Sequence, residues 1–306
     1  MKKAFTLIEM LIVIGILGIL SGVLLTSLSG VGDRAKTVKC ASNMKSLAAA
    51  VSSAAMGGSY PFAQSALYFS VSGSSSLAVQ YGVHKGWISW LDKDVTYPLS
   101  TEHGYSQPSY AGSMDDVNYA ITNGAIWEVV GKVRDVYVCP AHLDACRRVG
   151  VQSPGWSYVM NAYFGYESSP GKASVSATGK IGASSLSRAD RTLLFAEIPA
   201  LELTNKDRGA AKVSSAPPVN LNGGNGSEEM DSCLKYKTVG GDESIGFNHR
   251  KGKQIIGHVA FADGHVESIA LPRDGNFVEL TDWLCTGKDV VFRNGSYEEV
   301  QGTEVE

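Results

Sequence analysis

What most constrains this chain is an uncharged stretch from Met10 to Gly32, of which Met10–Leu25 is almost wholly aliphatic. As a helix that segment is long enough to cross a hydrocarbon core of about 30 Å. Lys2 and Lys3 precede it, which fits an N-terminus kept on the cytoplasmic side. Glu9 lies inside its leading edge. A carboxylate at membrane depth costs about 2.5–3.5 kcal/mol on insertion scales, less near the interface, so it marks function by default. A removed signal peptide and a plain membrane anchor are the competing readings. The length of the apolar stretch, beyond a usual h-region, and the presence of Glu9 set it apart from the first.

Composition narrows the rest. Lys and Arg total 27 against 30 Asp and Glu, a net charge of −3. That balance argues against a basic nucleic-acid binder and against an acidic disordered chain. Charged residues are 19% of the chain, below the roughly 25% of a typical soluble domain, and the deficit sits in the N-terminal segment. The 306 residues, 44% hydrophobic, suffice for two ordinary domains or one domain with an appendage. Five cysteines in such a length do not make a disulfide-dense scaffold.

Past the apolar stretch a helical period continues through Val38, Ala41, Met44, Leu47, Ala48, Val51 and Ala55, with Asp33, Arg34, Lys36, Lys39 and Lys45 between them. Gly57-Gly58 stop it. One helix over residues 5–56 is expected, roughly 78 Å long at 1.5 Å per residue. Gly15, Gly18, Gly22 and Gly30 weaken it and permit close helix–helix approach. Strands are expected at Val133–Val138, Thr192–Glu197, Val259–Asp263 and His265–Ile269, and loops at Ser59–Gly82, Ser168–Ser187 and Arg208–Glu229. Asp263-Gly264 suits two positive-φ positions of a tight hairpin turn. The expected fold class is α+β, a long N-terminal helix against an antiparallel sheet with long loops.

Ala4-Phe5-Thr6-Leu7-Ile8-Glu9 resembles the processing and methylation segment of type IV prepilins and type II secretion pseudopilins. The resemblance implies a leader at residues 1–4, cleavage between Ala4 and Phe5 by a prepilin peptidase, and N-methylation of Phe5. Ala4 stands where the family usually has Gly. It further implies a membrane and filament-core helix at 5–32, its amphipathic continuation at 33–56 and an outer globular domain at 57–306. Phe5 and Glu9 become the assembly residues. The implied partners are the peptidase/methyltransferase, other pilin or pseudopilin subunits, an inner-membrane assembly platform and membrane lipid, with no nucleic acid. The implied location is the inner membrane, single-pass, and then a pseudopilus or cell-surface filament.

Four further pieces, in order, resemble the prepilin subgroup with a processing-associated His-x9-Asp-Gly domain. They are Val138-Cys139-Pro140, Ser157-Tyr158-Val159-Met160-Asn161, Thr192–Glu197, and Asn248-His249 leading to Phe261-Ala262-Asp263-Gly264-His265-Val266. Here 13 residues rather than nine separate His249 from Asp263, through a basic insert at Arg250–Gly257.

Chemistry is sparse. Gly-x-Ser-x-Gly, a P-loop and His-Glu-x-x-His are absent from the sequence. Glu197, His249, His258, Asp263 and His265 are potential metal ligands by type. Turn formation alone accounts for Asp263-Gly264, so no metal or cofactor is assigned, with His258, Asp263 and His265 as the candidates. Glu197, ending an apolar strand, reads as a buried hydrogen-bond acceptor. In an oxidising compartment Cys139 could pair with Cys146 and Cys233 with Cys285, leaving Cys40; buried thiols are the other reading. Trp87, Trp90, Trp127, Trp156 and Trp283 serve either a core or an adhesive surface. The leading function is therefore a non-enzymatic filament subunit. A filament-borne or membrane-anchored binding module for polysaccharide or secreted substrate is the alternative, and a tethered hydrolase is a third.

Overall fold

The computed structural model describes residues 6–27, 30–63, 86–88, 118, 120–148, 154–169, 172–174, 186–199, 233–234, 237 and 244–300. Two helices stand where one was expected, α1 (Leu7–Ser27) and α2 (Val31–Ala55). Gly30, the residue capping α2, has φ +85°. That left-handed conformation interrupts a right-handed helix and costs glycine little, because it has no Cβ.

The two helices meet opposite environments. The apolar side chains of α1 over residues 7–21 are exposed, Leu7 by 84% and Ile19 by 71%. α2 buries Cys40, Asn43, Met44, Leu47, Ala48, Ala50, Val51 and Ala55. Its buried stripe is thus rotated from the expected one at the N-terminal end: Val38 is 69% exposed, and Cys40 and Asn43 point inward instead. Asn43 tolerates burial because its Nδ2 donates to the carbonyls of Asp135 and Val138, at 3.1 and 3.0 Å. Those carbonyls belong to a short 3-10 turn at Arg134–Tyr137 and the residue after it. The strand expected over Val133–Val138 is therefore a helical turn held against α2. It leads through Cys139 into α3 (Pro140–Arg148), which Lys36 of α2 ties by an ion pair to Asp144.

The main sheet contains β1 (Tyr158–Asn161), β4 (Leu193–Glu197), β5 (Cys233–Leu234), β6 (His249–Lys251), β7 (Gln254–Phe261) and β8 (Val266–Ala270). Two small hairpins accompany it, β2 (Tyr166–Ser169) with β3 (Lys172–Ser174) and β9 (Val290–Arg293) with β10 (Ser296–Glu299). The strand order is β5-β1-β4-β7-β6, with β8 also on β7. Val259 and Ala260 pair with both β4 and β8, and Ile256 with both β6 and β8. Hence β8 takes one edge of β7, while β4 and β6 share the other. Within the described main sheet the strand pairings are antiparallel except β1–β5, which is parallel, so that sheet is mixed rather than purely antiparallel. α2 packs on β7, β6, β4 and α3, and a last helix, α4 (Phe277–Cys285), closes against β4.

The hairpin at Phe261–Val266 forms, with a different turn from the one expected. Of Asp263 and Gly264 only Gly264 has positive φ, +91°. The Gly264 amide donates to Phe261 O and the Phe261 amide to His265 O, each at 2.9 Å. That is a three-residue loop closed by a glycine bulge, with the Asp263 carboxylate accepting from the His265 amide at 3.0 Å.

Candidate functional site

Two places carry the candidate chemistry. At the N-terminus, Ala4 and Phe5 lie outside the described residues. Thr6 and Glu9 start α1 as a reciprocal cap. The Thr6 amide and hydroxyl both donate to Glu9 Oε2 at 2.8 Å, and the Glu9 amide donates to Thr6 Oγ1 at 3.3 Å. Thr-x-x-Glu is the capping-box spacing, so this role of Glu9 was legible at Thr6-Leu7-Ile8-Glu9 and adds to the one implied by resemblance. Among the described residues no helix is long and apolar enough to cross a membrane; the side chains of α1 are described only over residues 7–21.

The second place is inside the fold. Register sets Tyr158 opposite Glu197 across β1 and β4. Continuing the β4–β7 register from Ala196 opposite Val259 sets Glu197 beside His258. Residues directly opposite point to one face, so Tyr158, Glu197 and His258 form a polar row across three strands. His249, opposite Ile256 on β6, shares that face. Above the row lies α2 with Cys40, and Cys139 enters from the segment that Asn43 anchors.

Glu197 is the hub and is fully buried. Its Oε1 accepts from Cys40 Sγ at 2.9 Å and from the His258 amide at 3.2 Å, and lies 2.7 Å from His258 Nδ1 and 3.2 Å from His249 Nε2. Its Oε2 accepts from Asn248 Nδ2 at 2.9 Å. His249 Nε2 lies 3.3 Å from Cys139 Sγ, and His249 Nδ1 lies 3.5 Å from Thr37 Oγ1. Tyr158 OH donates to Cys40 Sγ at 3.3 Å.

Burial alone would neutralise Glu197, but the neighbouring His249 and His258 outweigh it and hold the carboxyl far below the usual range. Burial disfavours His249 as a cation, and the Glu197 charge overrides this and lifts its pKa to about 10. Burial raises the Cys139 thiol, yet the Cys40 thiol and His249 together bring it down to about 6. Cys40 goes well up, through burial first. The result is a desolvated set of thiol, imidazole and carboxylate donors that shift one another's protonation.

Sequence reasoning brought Glu197, His249 and His258 into view but not their partners. Asp263 and His265 are far from this cluster in role: they pair with each other at the hairpin turn, partly exposed. Of the proposed metal candidates, only His258 reaches the buried cluster. Neither proposed disulfide forms among the described residues. Cys139 is a thiol facing Cys40 and His249, and Cys233 and Cys285 remain buried thiols in the hydrophobic core; the Cys146 side chain lies outside the described residues. A thiol packs in such a core like a small apolar side chain. Trp87 and Trp156 are fully buried and Trp127 packs against the core, so these three are core residues; Trp90 lies outside the described residues.

Residues 1–25 match the prokaryotic N-terminal methylation motif. No curated protein and no solved structure matches the chain. The motif, which includes the Thr6–Glu9 cap, supports a type IV pilin-like family and a structural pilin-type precursor processed by a prepilin peptidase.

Proposed function

We propose that this chain is a structural subunit, pilin or pseudopilin, of a type IV pilus or type II secretion pseudopilus, without enzymatic activity. The observation that carries the reading is the methylation motif over residues 1–25. Residues 1–4 are the leader, Ala4–Phe5 the scissile bond, and Phe5 the methylated N-terminus of the mature chain. Residues 5–32 hold the subunit in the inner membrane before assembly and pack in the filament core afterwards. Residues 57–306 face outside the cytoplasm, joined to the membrane segment through 33–56.

The exposed aliphatic surface of α1 supports this. A helix whose apolar face no described residue covers calls for lipid or neighbouring subunits to cover it. The fold also supports membership of the His-x9-Asp-Gly subgroup, because Cys139, Tyr158, Glu197 and His249, one from each of its four pieces, converge on a single cluster. Intact-mass and N-terminal analysis of membrane-extracted protein tests the reading. The expected species begins at N-methylated Phe5. A start near Ser21 or later identifies an ordinary signal peptide and overturns it.

A further inference from the structure

We propose that Cys40, Cys139, Glu197 and His249 form a closed site for one zinc-class divalent cation, which fastens α2 to the sheet. Their Sγ, Sγ, carboxylate oxygen and imidazole nitrogen all lie within 4.8 Å of one another. For metal bonds of about 2.0–2.3 Å, a tetrahedron has edges of roughly 3.3–3.8 Å. The edges from His249 Nε2 to Glu197 Oε1 and to Cys139 Sγ are already 3.2 and 3.3 Å. The Cys40–Glu197 edge, at 2.9 Å, has to open by roughly half an ångström for that geometry, and the three remaining edges lie within 4.8 Å.

The donor set selects the ion. Two thiolates with an imidazole and one carboxylate suit a borderline-soft cation such as zinc, and do not suit magnesium or calcium, which prefer all-oxygen shells. Binding needs both sulfurs as thiolates and His249 neutral, so every proton still on Cys40, on Cys139 and on His249 Nε2 is released, leaving three anionic ligands, a neutral imidazole and a dication. The residual negative charge sits beside His258. All four ligands are buried, which leaves no open coordination position and makes the site structural.

The supporting shell is also in place. Thr37 donates its hydroxyl hydrogen to Asp33 O at 2.8 Å, so toward His249 Nδ1 it presents a lone pair. That fixes the proton of a neutral His249 on Nδ1 and leaves Nε2 free to bind metal. Asn248 and His258 orient the Glu197 carboxylate, and Tyr158 donates to Cys40. The ligands come from α2, the segment before α3, β4 and β6, so one ion cross-links four elements.

The test uses the full chain in detergent, reduced, stripped with a chelator and titrated with zinc and, separately, with cobalt. The expected result is one ion per chain, with thiolate-to-cobalt charge-transfer absorption and the intense visible bands of a tetrahedral centre. Cys40→Ser and Cys139→Ser should each weaken zinc binding by at least about tenfold, while Cys233→Ser retains it. Should a serine variant fail to fold, Thr37→Val, which leaves all four ligands, supplies the same comparison, with weaker binding at unchanged stoichiometry. No zinc uptake by the reduced chain overturns the site. So does equal uptake by wild type, Cys40→Ser and Cys139→Ser, or a Cys40–Cys139 disulfide in protein extracted with thiols trapped.

Discussion

α1 and α2 adjoin in sequence and follow opposite physical rules. α1 is aliphatic and, over residues 7–21, exposed; α2 carries five charged residues and buries a stripe that includes a thiol and an amide. Among the described residues nothing covers the first helix. The second is over-determined, held by apolar packing, by Asn43 bonding to two carbonyls and by Cys40 meeting Glu197. Stability is thus concentrated in the second helix, and the proposed filament contact falls to the first, with Gly30 between them. Substitutions in α1 should spare the fold and destroy assembly, and substitutions under α2 should do the reverse.

The largest effect on that division is expected from Glu9→Ala. An unpaired carboxylate in an aliphatic helix is unfavourable in lipid, whereas in a growing filament it can meet the Phe5 amine of a neighbouring subunit. Such a pair is stronger in a low-dielectric core than in water, less its desolvation. It also sets the axial register of otherwise uniform helices. The variant should be cleaved at Ala4–Phe5 and melt like wild type, yet yield few or no sheared filaments. Losing the cap at Thr6 costs α1 only about 1 kcal/mol, too little to unfold the packed domain. Normal filament numbers would break the comparison, and accumulation of uncut precursor would move Glu9 to peptidase recognition.

Gly257→Ala tests the other side. Gly257 lies in β7 between Ile256 and His258, and a Cβ there would sit 2.1 Å from the carbonyl oxygen of Gly246. Gly246 itself donates to Glu197 O at 2.7 Å, so the clash pushes on the segment that delivers Asn248 and His249. Backbone cannot yield as a side-chain tip does, and a loss of about 3 kcal/mol is expected at a site this tight. Thermal melting reads it, and export and N-terminal processing of whatever folds should be unchanged.

Much of the architecture could be read from the chain and much of the interior could not. The apolar run Leu193–Glu197 and the Asp263-Gly264 signal located β4 and the β7–β8 hairpin, because local propensity and tertiary demand agree there. The turn type was misread, since Asp-Gly fits both a two-residue turn and a glycine bulge. On α2, apolar counting favours Val38 over Cys40 and Asn43. The reverse holds in the fold, because partners from residues 135–138 and 197 satisfy the polar pair. β5, two residues long and parallel to β1, has no periodicity to detect. Glu197 and His249 could be suspected as buried polar groups, but their convergence with Cys40 and Cys139 depends on strand register and helix packing that no single segment encodes.

A pH prediction sharpens the packed half. His142 of α3 is buried, 3.1 Å from Ser157 Oγ through Nδ1. Burial lowers its pKa from 6.5 to about 4. The unfolded chain therefore takes up a proton first as pH falls, and stability present above 6.5 declines until pH reaches about 4. The loss should approach about 3 kcal/mol over that window. His142→Gln, which keeps a polar contact to Ser157 and cannot titrate, should flatten this limb in denaturant titrations run at several pH values.

The smallest effect belongs to the hairpin tip. Gly264 has φ +91°, but a Cβ on it would meet nothing within 4 Å. Unlike Gly257, it is constrained by backbone conformation alone. Gly264→Val should therefore cost about 1–3 kcal/mol, the strain of a β-branched residue at positive φ. Gly264→Ala should cost less, and Gly264→Asn least, because asparagine tolerates the left-handed region. At Gly257 the order is set by volume instead, and asparagine should be worse than alanine. Melting temperatures of both series on the purified protein separate the two causes. An unchanged melt for Gly264→Val would remove the bulged turn, and with it the register it sets between β7 and β8.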